Sequence, residues 1–133
     1  DTGPENLVEF ARQCLSKHSR QARKLAKRHA ELPPDERHTM RIRFKKLRYT
    51  LDFFAPLLTS KRVRPYLAAL GQLQDELGMI NDHITAETLI AQILGQRQPG
   101  PIHGWIAGRH GLLVGAIDES LDTWLAQRAP WKH

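Results

Sequence analysis

One stretch of this chain sets a row of cationic side chains along a single line. His38, Arg41, Lys45 and Arg48 recur at gaps of three, four and three, with Arg37 beside the first and Asp52 beyond the last. On a helix, which turns about 100° per residue, they share one arc. Guanidinium groups take phosphoryl oxygens in forked hydrogen bonds, an ammonium acts as a point charge, and an imidazole donates more strongly once protonated. From His38 to Arg48 a helix rises about 15 Å, long enough to follow several units of an extended polyanion. Such a row must be neutralised, because two unit charges about 4 Å apart interact by roughly 4 kcal/mol at an effective dielectric near 20. Asp52 is the only carboxylate on the arc. Three readings follow: a bound anion, ion pairs to other helices, or plain solvent exposure.

The element that carries the row is expected to be a helix of about six turns from Asp35 to Leu58. Pro33-Pro34 ends whatever precedes it, Asp35 is the expected N-cap, and Glu36 suits the positive end of the helix dipole. Pro56 predicts fraying at Ala55. Met40, Phe44, Leu47, Leu51, Phe54 and Leu58 form one apolar stripe, and Ile42, Tyr49 and Phe53 form a second. Thr39, Arg43, Lys46 and Thr50 lie between them on one side and read as solvated surface. The basic arc lies between them on the other. If both stripes pack against neighbours, Arg41, Lys45 and Arg48 point into a shared cleft.

The same residues carry a family resemblance. His38-x2-Arg41-x3-Lys45-x2-Arg48-Tyr49 resembles the signature helix of the CHAD family, the conserved histidine α-helical domain, and Leu73-Gln74-x2-Leu77-Gly78-x2-Asn81-Asp82 resembles its second block. The resemblance implies an all-α bundle with basic residues lining a central cavity, and binding of inorganic polyphosphate without catalysis. It implies phosphate contacts from His38, Arg41, Lys45, Arg48 and Arg37, with Tyr49, Gln74, Asn81 and Asp82 in support. A whole CHAD domain resembles two helical halves, each with its own signature helix. This chain holds one, since the run His18-Ser19-Arg20-Gln21 has Gln21 where the arginine should be. The expectation is therefore one half, which Tyr49 and the block at residues 73–82 make the C-terminal one by resemblance, with a cavity open on one side.

The other elements must position this helix. The first is expected from Pro4 to about Glu31, with Pro4 and Glu5 in its first turn. Leu7, Ala11, Cys14, Leu15, His18, Ala22, Leu25, Ala26 and His29 share its apolar face, where His18 is expected to be a hydrogen-bonded core histidine. Ser60 is a cap for the next helix, whose stripe is Tyr66, Leu67, Leu70, Leu73 and Leu77; Gln74 lies on that stripe and must find a partner. Gly78 predicts a break. Asn81 and Asp82 would then cap a fourth helix buried through Ile80, Ile84, Leu89, Ile90, Ile93 and Leu94, with Asp82 also pairing a signature-helix arginine. Gly95–Gly100 is a loop. The last helix is expected from about His103 to Gln127, with a wide apolar surface and a strip of Gly104, Gly108, Gly111 and Gly115 for close approach of another helix. Arg109 and His110 among them are candidates to reach the cleft. Ala129–His133 is expected to be a frayed tail.

The whole is expected to be an all-α, antiparallel bundle of four to five helices in one domain, residues 1–133. The net charge of +6 and pI near 9.9 favour anionic partners without choosing among them. Cys14 is the single cysteine, so no internal disulfide forms. No segment has the roughly 18 uninterrupted apolar residues of a membrane span, and Asp1-Thr2-Gly3-Pro4 does not read as a signal peptide. A cytoplasmic location, in company with polyphosphate granules, is the expectation, as is an origin within a longer chain. Phosphoryl-transfer chemistry with His38 and Asp82 as acid and base is disfavoured, because nothing orders a nucleophile and there is no glycine-rich phosphate loop. No metal or other cofactor is expected: Asp82-His83 lacks a second histidine at helical spacing, a cysteine pair or a carboxylate cluster. A helical nucleic-acid or protein interaction domain is the alternative, using Lys17, Arg20, Arg23, Lys24, Lys27 and Arg28 of the first helix. A homodimer or a larger assembly through the last helix is expected, tightened by a bridging polyanion.

Overall fold

In the computed structural model, which describes residues 4–97 and 99–132, the chain forms four α-helices: α1 (Pro4–Ala26), α2 (Pro34–Phe54), α3 (Val63–Leu94) and α4 (Gly100–Ala126). Short 3-10 turns follow the first three, at His29–Glu31, Ala55–Leu57 and Gly95–Arg97. Among the described residues there is no strand, and the all-α expectation holds. The role expected of the Glu5 side chain, and the readings of residues 1–3 and His133, lie outside what the structure describes.

The core is built from one face of each helix. Ala11, Leu15, Ala22 and Ala26 of α1 meet Met40, Phe44, Leu47, Leu51 and Phe54 of α2. Val63, Tyr66, Leu70, Leu73 and Leu77 of α3 close the other side, with Ile117, Leu121 and Trp124 of α4. Small alanines on α1 let the bulkier α2 side chains interdigitate. Aromatic edges lock the centre: Phe44 meets Trp124 at 4.8 Å between ring centroids and 75°.

Four expectations change here. Pro33, not Asp35, occupies the N-cap of α2, without a side-chain cap, and Pro34 takes the first helical position. Proline serves there because its missing N–H is one of the unpaired donors anyway. Gly78 does not break the chain: α3 runs on for 32 residues through Asn81 and Asp82, which are mid-helix and cap nothing. One glycine in a helix interior costs about 1 kcal/mol relative to alanine, and packing on both sides of it prevails. The tail is not frayed. Trp131 is 2% exposed, its indole donates to Ser16 Oγ at 3.1 Å, and its carbonyl accepts from Arg12 Nε at 3.0 Å. It meets Tyr66 edge-on at 5.4 Å. Finally, α1 ends at Ala26, ahead of the separate turn at His29–Glu31.

The length of α3 shapes the molecule. At 1.5 Å per residue, 32 residues span about 48 Å against about 32 Å for the 21 of α2. The C-terminal part of α3 and the N-terminal part of α4 therefore extend as a two-helix hairpin beyond the main core. There the expected burial holds only in part: Ile106 and Leu113 are buried, but Leu89, Ile93, Trp105 and Leu112 are exposed. A Cβ added at Gly104, Gly108, Gly111 or Gly115 meets nothing within 4 Å, so among the described residues no helix packs on the glycine strip.

Candidate functional site

The basic arc of α2 is set by the burial of its opposite side. With Met40, Phe44, Leu47 and Leu51 turned into the core, the 3.6-residue period leaves Arg37, His38 and Lys45 exposed and Arg41 and Arg48 half-buried. The second apolar stripe does not pack: Ile42, Tyr49 and Phe53 are 38%, 54% and 77% exposed. The row is thus bounded by a neighbour on one flank only. The opposite arc, expected as solvated surface, instead includes a half-buried Arg43 that donates to Gln21 Oε1 of α1 at 3.1 Å.

The arc divides between two environments. Arg37, His38 and Arg41 line a cavity of about 420 Å³ between α2, α3 and α4. Its floor is apolar, from Met40, Leu77, Ile80, Ile84, Val114 and Ile117, and Asn81, His110, His29 and Asp118 complete its wall. Lys45 and Arg48 do not line it. Arg48 lies across α3, where its Nη1 donates to Gln74 Oε1 at 2.9 Å. Gly71 lies beside it, where a Cβ would make ordinary contact at 3.6 Å from the guanidinium carbon. Gln74 thus finds the signature-helix cation as its partner, as its place on the apolar stripe requires. The expected pair between Asp82 and a signature-helix arginine does not form among the described residues; Asp82 is exposed.

Charge compensation is the informative feature. Among the described residues, none of Arg37, Arg41, Lys45 and Arg48 pairs with a carboxylate. The acid on the cavity wall, Asp118, is engaged by His29 Nε2, whose other nitrogen, Nδ1, contacts the Ala26 carbonyl at 2.8 Å. Asp118 makes no ion pair with a cation of α2 among the described residues. Glu76, a buried acid, accepts from Ser120 Oγ at 2.7 and 2.9 Å, on another side of α3. Both acid contacts escaped sequence reasoning. Glu76 adjoins the Leu73–Leu77 stripe, which was the available signal; His29 and Asp118 are 89 residues apart, and no local spacing announces them.

The remaining candidates separate as well. His110 reaches the cavity, but Arg109 stacks over Trp105 of its own helix at 5.8 Å. His18 is not hydrogen-bonded at Nδ1, which is buried without a partner. Burial lowers its pKa from the ordinary 6.5, and Lys17, Lys46 and Arg43 lower it further.

The fold and this face define a class: an all-α bundle presenting an uncompensated cationic helix beside a half-open cavity. A family model described as CHAD domain matches residues 2–91 of the 133, and the chain belongs to that family. The match takes in α1, α2 and most of α3. No curated protein and no solved structure matches the chain.

Proposed function

We propose that this protein is a non-catalytic polyanion-binding module whose ligand is inorganic polyphosphate. The observation that carries the reading is the row Arg37, Arg41, Lys45 and Arg48, with no carboxylate partner along its length among the described residues. An anionic chain laid along the row relieves repulsion already present in the unliganded protein. Arg41 and Arg37, with His38, contact phosphoryl units at the cavity rim; Lys45 and Arg48 continue the track along α2. The Gln74 amide oxygen holds Arg48 against α3, which lowers the entropy it loses on binding. Tyr49, half exposed beside Arg48, and Asn81 on the cavity wall flank the track.

The apolar cavity floor takes no part in phosphate contact. A polyphosphate therefore runs over the rim instead of entering the cavity. No described helix is long and apolar enough to cross a membrane, and the module is proposed to act in the cytoplasm beside stored polyphosphate. The test is competition at fixed salt between long-chain polyphosphate and DNA at equal phosphate concentration. Displacement of a labelled polyphosphate by unlabelled polyphosphate but not by DNA supports the reading. Equal displacement assigns the face to general nucleic-acid or charge binding and overturns it.

A further inference from the structure

We propose that His83, Glu87 and His110 form a binding site for a divalent transition ion of the zinc class, and that the ion clips the α3–α4 hairpin. His83 and Glu87 are one helical turn apart, so they lie on the same face of α3. His110 arrives from α4, which runs antiparallel to it. One ligand atom from each lies within 4.8 Å of the other two. The two imidazoles face each other at 5.9 Å between centroids, with 41° between their planes. His83 Nε2 is buried and has no hydrogen-bond partner. Burying such a group is unfavourable unless something satisfies it, and a metal ion is the occupant that also engages its two neighbours.

The donor set chooses the metal. Two imidazoles and one carboxylate suit zinc, cobalt, nickel or copper, whereas magnesium and calcium prefer oxygen alone. Three protein ligands leave a fourth position open in tetrahedral geometry. Zinc–nitrogen bonds of about 2.0–2.1 Å would bring the donors to roughly 3.3 Å from one another, which side-chain rotation can supply. The consequence is structural. In this hairpin Ile106 and Leu113 are buried, but Leu89 and Ile93 are exposed and a Cβ on the α4 glycines meets nothing within 4 Å, so only part of its surface is packed. An ion joining α3 to α4 adds a cross-link beyond the Glu76–Ser120 hydrogen bonds. The sequence reading expected no metal, because the third ligand is distant in the chain and only the antiparallel hairpin brings it back. The site stands independently of the polyphosphate reading, and either can fail without the other.

The experiment titrates cobalt(II) into the tag-free full chain and follows the visible absorption of a tetrahedral site. The proposal expects a one-to-one complex that zinc displaces and magnesium does not. His83→Ala and His110→Ala should each weaken it at least tenfold, Glu87→Gln by less, with helicity checked by circular dichroism. A second readout needs no variant: in wild-type long-range imidazole nitrogen spectra, zinc should shift the His83 and His110 ring signals and leave His18 and His29 in place. Absence of a one-to-one complex, unchanged affinity in both histidine variants, or shifts confined to other histidines would each overturn the proposal.

Discussion

Replacing Arg41 by alanine separates a binding site from mere net charge. Arg41 is half-buried at the cavity rim and free of carboxylates, so its guanidinium is available to a phosphoryl oxygen in a partly dry setting. A hydrogen bond to a charged group contributes about 1.5 kcal/mol or more, roughly tenfold in affinity. Salt dependence gives a second, independent number. Each cation neutralising a flexible single-strand polyanion contributes about 0.7 to the log–log salt slope. Four contacts, from Arg37, Arg41, Lys45 and Arg48, give about 2.8, so affinity should fall about 50-fold between roughly 50 and 200 mM salt. With three contacts the fall is about 20-fold. Lys46→Ala removes the same formal charge from the far side of α2, across a helix about 10–12 Å wide. That distance is about one Debye length at 0.1 M salt, so affinity should change by no more than about twofold and the slope should stay. The assay is titration calorimetry with polyphosphate of one length at a series of salt concentrations. Equal loss of affinity and equal flattening in the two variants would refute the reasoning and leave net charge as the whole effect.

Three further outcomes follow from the same contacts. Arg48→Met should lower the polyphosphate-induced rise in melting temperature by weakening the ligand that stabilises the native state. Its neutral partner Gln74 is half-exposed, so the unliganded protein should lose only about 1 kcal/mol by urea denaturation; a loss of several kcal/mol would make Arg48 structural. His18 titrates lower in the native state than unfolded, so above pH 6.5 it exacts nothing; as pH falls through 6.5 the unfolded chain takes up a proton the native ring refuses, and stability declines until the native ring also titrates, by at most about 1.4 kcal/mol per pH unit. His18→Gln should flatten that decline in denaturation curves between pH 7 and 5, and an unchanged slope would reject the assignment. Trp131→Ala should cost about 3–5 kcal/mol, as a buried indole does; a loss under about 1 kcal/mol would mean the C-terminal segment contributes little to the fold.

The core stripes and the basic arc were legible because both follow the helix period, and burial of Met40, Phe44, Leu47 and Leu51 fixes where Arg41 and Lys45 must point. Gln74 was legible as a polar residue on an apolar stripe that had to find a partner. The second stripe misled: Ile42, Tyr49 and Phe53 share a face, but periodicity states which residues align and not whether a neighbour covers them. Gly78 misled for a related reason, since helix propensity is a weak term that packing of Leu73, Leu77 and Ile80 outweighs. Trp131 lay beyond the last periodic element, and only the tertiary pocket formed by Tyr66, Ser16 and Arg12 explains its burial. The division of the arc between cavity rim and α3 surface depends on helix crossing and could not be read from α2 alone.

The central claim is that a polyanion lies along the α2 arc, and nuclear magnetic resonance of the arginine side chains tests it most directly. Polyphosphate added to protein carrying nitrogen-15 should shift the Nε–H signals of Arg37, Arg41 and Arg48 together, saturating with one affinity. Arg43, held by Gln21 on the α1 side, should stay in place. Shifts spread evenly over Arg43 and the α1 residues Arg20, Arg23 and Arg28, with none favouring the arc, would contradict the account.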